Sequence, residues 1–182
     1  MARRPFAKFK NKILVESGTY MGDGVQYALE CGFDSIISYE IKKDLYVAAV
    51  ERFKGNNKVI LHNKSSTKML EDIKNIVVPI TFWLDGHYSA GFTGYDNECA
   101  YPVIKELEAI AQHDVKTHTI LIDDRRLLKH HDIKNISEID SDTIGYSESE
   151  ILEHIMKINP NYKISYEDGA IKDDIIVAKV DG

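Results

Sequence analysis

The sequence predicts an α/β fold, a doubly wound and mostly parallel sheet that ends in an antiparallel hairpin. Three observations carry that prediction. Five short apolar runs alternate with stretches of helical periodicity, and parallel neighbours need such crossover connections. Two of the runs stop on acids: 80–84 leads into Asp85-Gly86-His87, and 118–122 into Asp123-Asp124. An open parallel sheet gathers polar groups in this way, in the crevice at its carboxyl edge. Finally, 162–166, Asp168-Gly169 and 175–180 have the pattern of strand, turn and strand.

Each element has its own signal. Ile13-Leu14-Val15 forms a short strand ending at Glu16, and a glycine-bearing loop over 17–24 leads to a helix over 25–31. Gly32 stops that helix, because glycine tolerates the left-handed turn there. A second strand, 35–39, ends at Glu40, and 43–53 sets Leu45, Ala48, Ala49 and Phe53 on one side of a helix. Residues 59–61 make the third strand, 67–76 the next helix and 80–84 the fourth strand. In the helix over 101–113, Pro102 fits the first turn and Val103, Leu107 and Ile110 form an apolar stripe. After the fifth strand, 118–122, the stretch 127–147 reads as a loop with some short helix. Ser147 and Glu150 then make a capping-box start before Ile151, Leu152, Ile155 and Met156.

The 182 residues suit a single domain spanning 1–182, with 1–12 as a basic, solvated lead-in. A net charge of −6 argues against binding nucleic acid by broad phosphate neutralisation. No apolar run approaches the ~20 residues that cross a bilayer. Cys31 and Cys99 are too few and too far apart for a disulfide framework, a usage that fits the reducing cytoplasm.

The loop Glu16-Ser17-Gly18-Thr19-Tyr20-Met21-Gly22-Asp23-Gly24 lets a ligand approach the backbone closely and offers the free amides of a helix start. Its Gly-x-x-x-Gly-x-Gly spacing is not that of the dinucleotide fingerprint, and a plain tight turn is the competing reading. Glu40, ending the second strand about twenty residues further on, is placed to accept hydrogen bonds from ribose hydroxyls. Three carboxylates and an imidazole at neighbouring strand ends would make an oxygen-rich cation site with a base beside it. The competing reading for each acid is a helix cap. Arg125 and Arg126 either bind an acidic substrate group or pair with carboxylates.

The glycine loop, Glu40, the five alternating units and the closing hairpin resemble the class I S-adenosylmethionine-dependent methyltransferases, whose sheet is Rossmann-like. Phe82-Trp83-Leu84-Asp85-Gly86-His87-Tyr88-Ser89 and Ile122-Asp123-Asp124 are similar to segments of the metal-dependent macrocin or sugar O-methyltransferases. The resemblance implies cofactor contacts from Glu16, Gly18, Thr19, Tyr20, Gly22, Gly24, Glu40, Ser65 and Asp85. It implies that Asp85, Asp123 and Asp124 hold Mg2+ or Mn2+, with Asp85 and His87 catalytic and His87 as general base. Asn63-Lys64-Ser65-Ser66 departs from the family's Gly-Asp-Ser, putting Lys64 where an acid is expected near adenine.

The loop 91–98 carries two glycines, two aromatics and several polar groups that suit a sugar ring. With it, the expected acceptor contacts are His87, Tyr88, Thr93, Tyr95 and Arg125, and the acceptor is a sugar, glycan or similar small hydroxylated molecule. The chain is short for a freestanding enzyme of this kind. It is therefore expected to work as a homo-oligomer or as one domain of a longer protein. A metal-dependent nucleotide-sugar glycosyltransferase and a non-catalytic binding module of the same fold are the alternatives.

Overall fold

The computed structural model describes residues 4–87, 101–129 and 144–181. Seven strands form one sheet, in the order β3-β2-β1-β4-β5-β9-β8. They are β1 (Ile13–Ser17), β2 (Ser35–Tyr39), β3 (Val59–His62), β4 (Ile80–Leu84), β5 (Thr119–Ile122), β8 (Lys163–Glu167) and β9 (Ile175–Lys179). The first five pair in parallel, while β9 runs antiparallel to both β5 and β8. The expected hairpin is therefore present, but the last strand of the sequence is its inner member and β8 forms the edge. The connection between the two spans 168–174 rather than a tight turn, because Asp174 is buried and bonded. Two short strands, β6 (Leu128–Lys129) and β7 (Ile144–Ser147), pair with each other apart from the main sheet, within the stretch expected to be irregular.

The helices are α1 (Asp23–Glu30), α2 (Lys43–Arg52), α3 (Leu70–Ile73), α4 (Val103–Gln112) and α5 (Glu148–Ile158). Ser147 caps α5 in the expected box with Glu150. The helix expected over 67–76 is broken into a 3-10 turn, Ser66–Lys68, and the single turn of α3. Side-chain bonds explain the break: Ser65 and Ser66 bond to Thr67 and Glu106, and Asp72 is drawn to Tyr39 and Lys64.

Strand residues alternate between two cores. Val15, Phe82, Ile120, Ile122 and Ile176 face one side, where Leu107 and Ile110 of α4 and Ile151 and Ile155 of α5 cover them. Leu14, Ile36, Trp83, Leu121 and Val177 face the other, against Val25 and Ala28 of α1 and, from the amino-terminal segment, Phe6. Burying a side chain such as Phe6 contributes about 2–3 kcal/mol. Its ring meets Trp83 edge-on at 5.3 Å. Residues 4–12 are therefore not a solvated lead-in throughout: among their basic side chains, one fully buried phenylalanine roofs the centre of the sheet. Among the described residues no helix is long and apolar enough to cross a membrane.

The strand order reverses between β1 and β4, whose ends stand side by side with Ser17 opposite Leu84. Such a reversal opens a crevice at the carboxyl ends of the strands.

Candidate functional site

The glycine loop fills one side of that crevice. Gly18 and Thr19 both donate their amides to Tyr39 O at 3.0 Å, which folds the loop across the end of β2. A side chain at Gly18 would approach Asp85 O to 2.7 Å, so glycine is what allows the loop to lie against the end of β4. Gly18, Tyr20 and Gly22 all have left-handed backbones, with φ of 78°, 47° and 82°. Tyr20 is the outlier, since a bulky L-residue is strained there and such strain concentrates at functional loops.

Beneath the loop, Glu16 is buried and accepts a 2.6 Å bond from Ser38 Oγ, which also bonds Thr19 Oγ1. Burial pushes its carboxyl up to about 7 against the opposing pull of Ser38 and Arg4. Through Ser38 and Thr19, Glu16 supports the loop from below. Glu40 ends β2 and accepts 2.8 Å bonds from the amides of Tyr20 and Lys42, tying it to the loop's strained residue. Ser65 bonds Thr67 at the crevice's far side. Lys64 is held by Glu71 and by Asp72, at 2.8 Å from the latter, and Asp72 also accepts from Tyr39 Oη.

The acids at the ends of β4 and β5 divide into two groups that share one residue. Asp85, His87 and Asp124 bring a ligand atom each to within 4.8 Å of one another, and so do Asp123, Asp124 and Asp174. Asp124 itself has a left-handed backbone, with φ 60°. His87 Nε2 lies 3.2 Å from Asp124 Oδ2 and its Nδ1 lies 3.9 Å from Asp85 Oδ1. Burial first, then the charges of Asp123 and Asp124, raises the Asp85 carboxyl well above its usual range. Its side chain keeps 22% exposure, so solvent moderates that rise. Burial and the adjacent Asp124 push Asp123 up to about 6. Carboxylates that repel their own protons' departure in this way gain most from a cation. The carboxylate donors, hard oxygens, fit magnesium or manganese, with the His87 imidazole beside them.

Several residues join the site without having stood out in the sequence. Glu106 of α4 is fully buried, accepts from Ser66 Oγ and is also bonded by Ser17, and burial pushes it up to about 7. It clips the end of β1 to the turn after β3, directly behind Gly86. Its signal was available: an acid at position 106 falls on the same helical stripe as Val103, Leu107 and Ile110. Arg126 pairs with both Asp124 and Asp174, and Asp174 comes from the hairpin connection. Arg125 is engaged elsewhere, with Glu148 at 2.8 Å and stacked over Tyr166 at 4.5 Å. Tyr101 places its ring 6.0 Å from that of His87. The expected acceptor residues Tyr88, Thr93 and Tyr95, with the rest of the loop 91–98, lie outside the described residues.

No protein-family model matches the chain, and no curated protein matches its sequence. Solved structures do share its fold. A provisionally named caffeoyl-CoA O-methyltransferase from Staphylococcus aureus aligns with a TM-score of 0.59 and 13% identity, over 93% of this chain and 76% of that one. The O-methyltransferase TomG of Streptomyces achromogenes, involved in tomaymycin synthesis and solved with S-adenosylmethionine, aligns at 0.57 and 9% over 97% and 76%. An rRNA methylase from Streptococcus thermophilus aligns at 0.55 and 13% over 100% and 99%. The chain has the Rossmann-like fold of the S-adenosylmethionine-dependent methyltransferases.

Proposed function

We propose that this protein is an S-adenosylmethionine-dependent methyltransferase that acts on a hydroxyl oxygen of a sugar, glycan or similar small acceptor with help from a divalent cation. One observation carries the reading: Asp85, His87 and Asp124 converge at 4.8 Å or less beside a glycine loop tied to Glu40. The loop and Glu40 would hold the cofactor, which when bound supplies an electrophilic methyl group. Asp85 and Asp124, with Asp123 behind them, would hold Mg2+ or Mn2+, which lowers the pKa of an acceptor hydroxyl.

His87 is the residue suited to take the proton. The acceptor oxygen forms its bond to the methyl carbon as the carbon–sulfur bond breaks, and the hydroxyl proton passes to an imidazole nitrogen. Asp124, 3.2 Å from Nε2, orients the ring and stabilises it once protonated. Glu106 acts behind the site, fixing Ser17 and Ser66 so that Gly86 and the loop keep their spacing. Alignment of oxygen and methyl supplies the remaining rate enhancement.

The glycosyltransferase reading is less well supported, because the solved structures that share the fold carry methyltransferase names. The non-catalytic reading draws on Lys64, which pairs with Glu71 and Asp72. Titration calorimetry of the protein with S-adenosylhomocysteine and with nucleotide sugars separates the classes. A mass-spectrometric screen for the gain of one methyl group, run on glycans, small polyols and RNA with and without chelator, then tests the acceptor. Tight nucleotide-sugar binding with none for the homocysteine nucleoside would sink the reading. Methylation undiminished by chelator would remove the metal from it.

A further inference from the structure

Among the described residues of the amino-terminal segment, Arg4 is the one whose charge reaches the site. Its guanidinium lies 5.8 Å from the centre of the Trp83 ring, at the end of β4. Its Nε stands 3.5 Å from where a side chain at Gly24, in the first turn of α1, would begin. It lies within electrostatic reach of Glu16, Asp85 and Asp123. Yet it makes no ion pair with any of them, and Nε is buried with no hydrogen-bond partner among the described residues. A buried guanidinium N–H without an acceptor is costly, so its persistence points to a ligand that supplies one.

The other end of such a ligand is also indicated. Asp123 Oδ1 is buried and without a partner, the one carboxylate oxygen of the described residues in that condition. A donor lacking an acceptor and an acceptor lacking a donor, in the same electrostatic neighbourhood, match a small zwitterion. Arg4 is also open to solvent, for with Asp23 and Tyr27 it lines a groove of about 710 Å³ along α1.

We infer that Arg4 binds the α-carboxylate of an amino-acid headgroup whose ammonium faces the unpartnered Oδ1 of Asp123, leaving Asp85 and Asp124 to the cation. Resting on the methyltransferase reading, this assigns Arg4 to the methionine part of the cofactor and makes the amino-terminal segment a wall of the cofactor site. The guanidinium offers two parallel N–H groups to a carboxylate, a geometry lysine cannot reproduce.

Two ligands isolate the contact. S-adenosylhomocysteine carries the amino-acid headgroup, and 5′-methylthioadenosine has the same nucleoside and sulfur without it. In calorimetry on the full chain, Arg4→Gln is expected to weaken S-adenosylhomocysteine by on the order of tenfold to a hundredfold and leave 5′-methylthioadenosine unchanged. Arg4→Lys should recover only part of the loss. Unchanged 5′-methylthioadenosine binding also reports that the variant is folded. Equal weakening of both ligands, or of neither, overturns the assignment while leaving the methyltransferase reading intact. If the unaltered protein binds neither ligand, the methyltransferase reading falls and the Arg4 assignment falls with it.

Discussion

Glu16 Oε1 fills the space above the α-carbon of Gly24: a methyl group built there would stand 1.8 Å from the oxygen. Glu16 cannot swing away, because Ser38 holds it at 2.6 Å within the buried interior. Gly24→Ala should therefore push α1 off the end of β1. Overpacking of this kind costs about 1–3 kcal/mol, or roughly 2–10 °C in Tm for a chain of this size. In thermal unfolding, the double variant Glu16→Ala/Gly24→Ala should lose less than the two single losses added together. Strict additivity would mean that the two residues are not in contact.

Asp124 serves His87 and both acidic groups, whereas Asp174, which shares Arg126 with it, belongs only to the second group. Titration of the protein with Mn2+ should thus distinguish them. Asp85→Ala and Asp124→Ala are expected to weaken the cation by at least about tenfold, with S-adenosylhomocysteine affinity largely kept. Asp174→Asn is expected to act more weakly on Mn2+. If Asp174→Asn alone removes cation binding, the ion belongs to the second group and His87 is not beside it.

The buried carboxyl of Glu106 makes stability depend on pH. Its folded value of about 7 exceeds the ordinary 4.5, so the folded state binds more protons in that interval and stability falls as pH rises through it. Above about 7 the full penalty applies, about 3 kcal/mol by linkage. Glu106→Gln should consequently gain on the unaltered protein between about pH 5 and pH 8, as read from urea midpoints. A difference that stays constant with pH would show that Glu106 ionises normally.

His118 works in the opposite direction. Its Nδ1 accepts from Ile80 N at 3.1 Å and its Nε2 lies 3.1 Å from His113 Nδ1, both inside the core at the other edge of the sheet. Burial first, then His113, lowers it from 6.5 to about 3. The unfolded chain binds the extra proton, so stability present above about pH 6.5 is lost progressively towards pH 3, by a few kcal/mol. His118→Asn, which keeps an acceptor for Ile80 N, should lose less on acidification. Parallel acid-unfolding curves for the two proteins would refute this.

What the sequence made legible was the part that depends on periodicity. Strands buried on both faces read as apolar runs, and their acidic stops at Asp85 and Asp123 read as strand ends. Glu16, Glu40 and the glycine loop could be placed because a strand-to-helix turn constrains its own few residues. Contacts between distant segments were harder to read. Phe6 was masked by the basic residues around it, although one aromatic can anchor a segment whose lysines stay in water. That Asp124 alone joins both acidic groups depends on contacts with Asp85, His87 and Asp174, which composition does not encode. Arg125 and Arg126 could be told apart only by their partners, Glu148 for one and Asp174 for the other.

The position of β9 inside the sheet has a consequence for synthesis. β5 gains its neighbour on that side only when residues 175–179, more than fifty positions later, are available to pair with it. Until then the edge of β5 stays open, with Asp123 and Asp124 at its tip lacking both Asp174 and the cover of the hairpin. On the ribosome the nascent chain can assemble β1 to β5 and hold a half-built site, but it cannot close it. Shortening the chain by its last eight residues would remove an interior strand rather than a fringe, and would leave β8 with nothing to pair against.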